Sequence, residues 1–102
     1  MKTLLSSKFA GEKVVVSIDF LASLSGNETL TGAITVVVTT NSGVDPSPMS
    51  ILNGSAQIVG SKILIPVRGG VKNCSYLIKC TCGTTNSDKI LEMIATLPIN
   101  AQ

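Results

Sequence analysis

The segment "CSYLIKCTC", residues 74–82, holds all three cysteines of the 102-residue chain. On a continuous strand the side-chain period is two, so Cys74, Tyr76, Ile78, Cys80 and Cys82 share one face while Leu77, Lys79 and Thr81 take the other. Read this way the thiols line a core. Adjacent same-face positions such as 80 and 82 have α-carbons roughly 6.5–7 Å apart, at the limit of disulfide geometry, and residues 74 and 80 are roughly 20 Å apart. Internal bridges are therefore disfavoured. A structural zinc site takes four ligands in patterns such as C-x₂₋₄-C with a second pair elsewhere, whereas this chain has a C-x₅-C-x-C run and no histidine. No metal ligand is assigned. Cys74, Cys80 and Cys82 are expected as buried core thiols, and the odd count leaves an intermolecular bridge as the alternative.

The same alternation extends outward from this segment. In "KVVVSIDF" (13–20), Val14, Val16, Ile18 and Phe20 fall on one face and Ser17 and Asp19 on the other. "TLTGAITVVVTT" (29–40) sets Leu30, Ile34, Val36 and Val38 inward and Thr31, Thr35 and Thr39 outward, β-branched for most of its length. "SAQIVG" and "KILIPV" are expected as a hairpin joined across Gly60 and Ser61, with Pro66 forcing the second strand to an edge or a bulge because it cannot donate to a ladder. "KILEMIATLPI" (89–99) has helix-forming composition. The loop-like "GTTNSD" before it and the alternation of Leu91, Met93, Ala95 and Leu97 favour a strand. Turn-rich stretches separate these runs, among them "SGNET", "NSGVDPSP", "LNGS" and "RGG". The expected fold is all-β, an immunoglobulin-like sandwich of about seven antiparallel strands. Residues 1–12 read as an N-terminal arm and residues 13–102 as one sandwich domain.

Composition limits the chemistry. Aromatic residues are 3% and charged residues 14%, with 8 basic and 6 acidic side chains giving a net charge of +2. No basic stripe exists to carry phosphate contacts, so nucleic acid is not an expected partner. No run approaches the roughly 18 apolar residues of a membrane span. "MKTLLSSKFAGEK" starts like an export signal, but Lys8 and the serine pair shorten its apolar stretch, and synthesis in the cytoplasm without export is expected. Without histidine, triads and imidazole bases lose their proton carrier. Glu12, Asp19, Glu28, Asp45, Asp88 and Glu92 form no close same-face pair of the kind glycoside hydrolysis uses. No catalytic residue and no cofactor-binding residue is assigned, and an enzyme is not expected. Asp19 sits mid-pattern and is expected to hydrogen-bond a neighbouring loop.

Gly69 and Gly70 lack the spacing of a phosphate cradle and read as a turn, with Arg68, the sole arginine, beside it as a solvated charge. The sequons at Asn27, Asn53 and Asn73 read as turn residues.

The order of motifs resembles a family of small immunoglobulin-like virion proteins of tailed bacteriophages. The resemblance rests on "SIDF" with Asp19 and Phe20, "LSGNETL", the Thr/Val-rich "AITVVVTT", the variable loop "NSGVDPSP", "ILIPVRGG", "YLIKC" and "GTTNSDKILEMIATLPI". It runs from about Lys13 to Ile99. Phe20 stands where the family carries Trp, and the cysteine cluster is this chain's own. The resemblance implies a structural role: a fibre-tail adaptor or connector in the tail or neck, present in multiple copies in a symmetric assembly and found in the virion. The same fold serves capsid decoration, the second reading. A carbohydrate-binding sandwich using Tyr76 or loop Asn and Asp side chains is the third, and the low aromatic content weighs against it. Outward Val15, Val37 and Leu77 would offer apolar contact surface if they cluster.

Overall fold

The computed structural model describes residues 2–5 and 7–100, residues 2–4 by backbone alone. Eight strands form two sheets: β1 (Lys2–Leu4), β2 (Lys8–Phe9), β3 (Lys13–Asp19), β4 (Leu30–Ser42), β5 (Gln57–Val59), β6 (Lys62–Arg68), β7 (Ser75–Thr84) and β8 (Ile90–Asn100). Short 3₁₀ turns at Leu21–Ser23 and Pro48–Ile51 lie in the connections. The larger sheet runs β1-β8-β7-β4, with β2 also on β8; the smaller runs β3-β6-β5. The protein is an all-β sandwich, and its extents of 43 × 20 × 19 Å make it a rod.

The core follows from the alternation. Val16 and Ile18 of β3, Phe20 just after it, and Ile63, Ile65 and Val67 of β6 face Ile78, Cys80, Ala95 and Leu97 of the larger sheet, all buried. Burying such aliphatic side chains contributes about 1.5–3 kcal/mol each, so this interface is the main source of stability. The β5–β6 hairpin turns at Gly60 and Ser61, with Val59 opposite Lys62 and Gly60 at φ 62° in the first turn position, where a type II′ turn calls for glycine.

Two expectations are corrected. First, β6 is the central strand of its sheet and not an edge. Pro66 is tolerated because β5 ends at its pairing with Leu64; on that side Pro66 meets only Asn53, whose N–H donates to the Pro66 carbonyl, so no ladder donor is missed. Second, the strands number eight and two run parallel to their neighbour: within the segment read as an arm, β1 and β2 pair along β8, Lys2 opposite Ile94 and Lys8 opposite Ile99. The Ile99 N–H donates to the Cys74 carbonyl, away from this edge, so the nitrogen of Pro98 points toward it with no hydrogen to give, and Pro98 lies between the two short ladders. The loop "NSGVDPSP" is largely exposed, as expected, and leads directly into a turn that inserts Ile51, 1% exposed, into the core.

Candidate functional site

The cysteines are where the alternation puts them. Cys80 and Cys82 lie on β7 and Cys74 one residue before it, and all three are buried free thiols. Burial pushes the Cys80 thiol up to about 11, with Cys82 beside it adding to the effect. Burial also raises Cys82, whose sulfur points at the Thr31 carbonyl. Thiols held protonated are poor nucleophiles and poor ligands. Among the described residues no three Cys, Asp or Glu side chains converge on a metal position. The acids are likewise spread over different parts of the frame.

The polar groups instead fasten loops at the two ends of the rod. At one end, the Asp19 carboxylate accepts from the Leu21 N–H and from the Ser61 hydroxyl, both at 2.9 Å, joining the turn after β3 to the β5–β6 hairpin. The Leu21 N–H, then the Ser61 hydroxyl, holds the Asp19 carboxyl below the usual range. Close by in sequence, Glu28 accepts from Lys89 Nζ at 2.7 Å and from the Ser25 N–H at 2.8 Å, tying the β3–β4 connection to the β7–β8 loop. The Lys89 contact is the main cause that lowers the Glu28 carboxyl. The expectation that Asp19 binds a neighbouring loop is met.

At the other end, Tyr76 is fully buried and its hydroxyl works in both directions. It donates to Asp45 Oδ2 at 2.7 Å and accepts from the Val71 N–H at 2.9 Å. Asp45 Oδ1 accepts from the Ser47 N–H at 2.9 Å. The β4–β5 loop is thus locked to the β6–β7 turn. Burial, then the Asp45 contact, pushes the Tyr76 phenol up to about 12. The strand reading put Tyr76 on the inward face with the cysteines, and there it lies; the ring is inside the sandwich and offers no surface face to the sugar of the third reading.

Lys8 is the residue that sequence reasoning missed. It is 2% exposed, and its ammonium donates to the Gly69 carbonyl at 2.6 Å and the Phe9 carbonyl at 2.7 Å. It pins the segment before β3 to the turn after β6, and burial lowers its pKa. Nothing in its sequence neighbourhood marks it, since a lone lysine is ordinarily exposed. Gly69 and Gly70 both have positive φ, and a Cβ on Gly70 would meet the Ile99 side chain at 2.9 Å. The turn reading of this pair is met. Arg68 is the exposed last residue of β6, opposite Lys13.

A cleft of about 360 Å³ opens between the sheets on the β4 side, lined by Ile34 and Val36 of β4, Leu52, Ala56 and Ile65. The outward apolar residues do not form one patch: Val15, 61% exposed, is on β3 of the smaller sheet, whereas Val37 and the half-buried Leu77 are on the larger. A second hollow, of about 210 Å³, lies over β3 and β6, beside Val15, Leu64 and Pro66.

What these groups can do chemically is hold shape. Two hydrogen-bonded loop clusters are set at opposite ends of a packed rod. No model of a known protein family matches the chain, and no curated protein matches it.

Proposed function

We propose that the chain is a structural virion protein of a tailed bacteriophage, an adaptor or connector that joins tail or neck components to fibres through protein contacts. The observation that carries the reading is the rod itself: a 43 Å sandwich with a stiffened loop cluster at each end, suited to meeting one partner per end. The finer fold assignment is immunoglobulin-like. With β3 to β8 taken as strands B to G, the sheets are B-E-D and G-F-C, and the first strands lie on G. Tyr76, at the start of the F position, bonds the backbone five residues upstream, as in the tyrosine corner of that fold. Both features support the motif resemblance that runs from Lys13 to Ile99.

The experiment is mass spectrometry and cryo-electron microscopy of purified particles produced from the genome that encodes the chain. The adaptor reading expects the chain at a tail, neck or fibre junction in a small symmetric number of copies. Copies spread over the head lattice identify capsid decoration instead. Absence from particles overturns both.

A further inference from the structure

Of the sheet edges, three are guarded in familiar ways. β5 is three residues long, β3 is seven residues long with charged Lys13 and Asp19 at its ends, and the β8 edge is covered by β1 and β2. The fourth is β4, thirteen residues without a charge or a proline, paired among the described residues on one side only, to β7. The turn Pro48–Ile51 lies against it at Val38, and natural sheets seldom leave the rest of such an edge bare.

The direction of its free groups is fixed by one contact. The Val38 N–H meets Met49 Sδ at 3.0 Å and so points away from β7. By the period of two, the N–H and C=O of Ile34 and Val36 point the same way, and among the described residues none bonds them. The inward side chains of these two residues line the cleft between the sheets. The edge therefore presents both an open ladder and apolar positions beside it.

Charge selects the occupant. Between Thr29 and Ser61 the only charged residue is Asp45. That carboxylate is already bonded by Tyr76 and Ser47. The same stretch contributes exposed Val37, Val44, Met49 and Val59. A charged partner strand would lose solvation against this flank without gaining a counter-charge, whereas a second copy brings an identical uncharged edge.

We infer that two copies of this chain associate through antiparallel β4–β4 pairing about a two-fold axis at Thr35. Ile34 of each copy then faces Val36 of the other, their free N–H and C=O groups bond reciprocally, and the two larger sheets join into one. The isologous contact closes on itself, which keeps the edge from recruiting further strands.

The test is sedimentation velocity on the isolated chain from micromolar to millimolar concentration, and it is independent of whether the chain occurs in virions. Wild type is expected to dimerise with rising concentration. Thr35→Lys and Thr35→Glu each place like charges directly opposite across the axis and are expected to be monomeric, whereas an equimolar mixture of the two dimerises. Thr35 is exposed, so the folded monomer tolerates both changes. Hydrogen exchange of wild type gives a second readout, with the Ile34 and Val36 amides protected at high concentration and released on dilution. A wild type that stays monomeric, a Thr35→Lys variant that still dimerises, a mixture that fails to, open polymers, or exchange at Ile34 and Val36 that ignores concentration would each overturn it.

Discussion

Tyr76 and Asp45, 31 residues apart in sequence, are joined by a 2.7 Å hydrogen bond that closes one end of the sandwich. The same hydroxyl receives the Val71 N–H, so one oxygen ties the β4–β5 loop to the β6–β7 turn. Tyr76→Phe keeps the ring in the core but leaves the Val71 donor and the Asp45 acceptor without their partner. The expected loss is about 1–3 kcal/mol in urea unfolding. Asp45→Asn can still accept from the phenol and is expected to cost less.

The buried phenol and thiol set an alkaline limit. Tyr76 is pushed from 10.0 to about 12 and Cys80 from 9.0 to about 11, so both bind their protons more tightly folded than unfolded. The unfolded state then releases protons first as pH rises. Stability from these groups is complete below about pH 9 and falls between about pH 9 and about pH 12, by roughly 3 kcal/mol for each group. Thermal melts across this range check it. Cys80→Ala should lower stability at neutral pH through its cavity while flattening the part of the slope that begins near pH 9.

All three thiols should be silent in the native state. Cys74, Cys80 and Cys82 are at most 5% exposed. A colourimetric thiol reagent is expected to titrate three sulfhydryls in denaturant and almost none in buffer, at a rate set by global opening. Rapid labelling of even one thiol in buffer would refute their burial.

How far the fold could be read from the residues depended on where each residue's partner lay. β3, β4, β7 and β8 carry their own alternation, because one face meets the core and the other meets water, and the inward sets at 14–20, 30–38, 76–82 and 91–97 are legible without a structure. The Gly60–Ser61 turn is legible for a similar local reason. β1 and β2 are not, since three and two residues held by backbone bonds leave no pattern. The place of Pro66 depends on where β5 stops, and the burial of Lys8 on carbonyls of Phe9 and Gly69, the latter 61 residues away. The end clusters were half legible: Asp19 announced its loop contact through its position, whereas Tyr76 and Asp45 are linked only once the fold is formed.

Gly43 and Cys74 are set to reveal tight packing at that same end. Gly43 has φ 87°, and a Cβ there would collide with the Cys74 sulfur. Gly43→Ala is expected to cost about 2–4 kcal/mol, the sum of left-handed backbone strain and overpacking. Combining it with Cys74→Ala should recover only the part of the clash made by the sulfur, since the Cβ and Cα of residue 74 remain at 3.1 and 3.2 Å from the added methyl, so the double variant is less destabilised than the two single losses added together. Urea unfolding of the four proteins completes the cycle.

The parallel run of β1 and β2 along β8 determines how the rod carries tension. Because the strands point the same way, the start of β1 and the finish of β8 lie toward opposite ends of their shared ladder. Pulling these two points apart slides the strands past one another and loads their backbone bonds together, whereas an antiparallel pair drawn from one end would open bond by bond. A chain built in this way resists stretching along its length at the seam where its first strands meet its last.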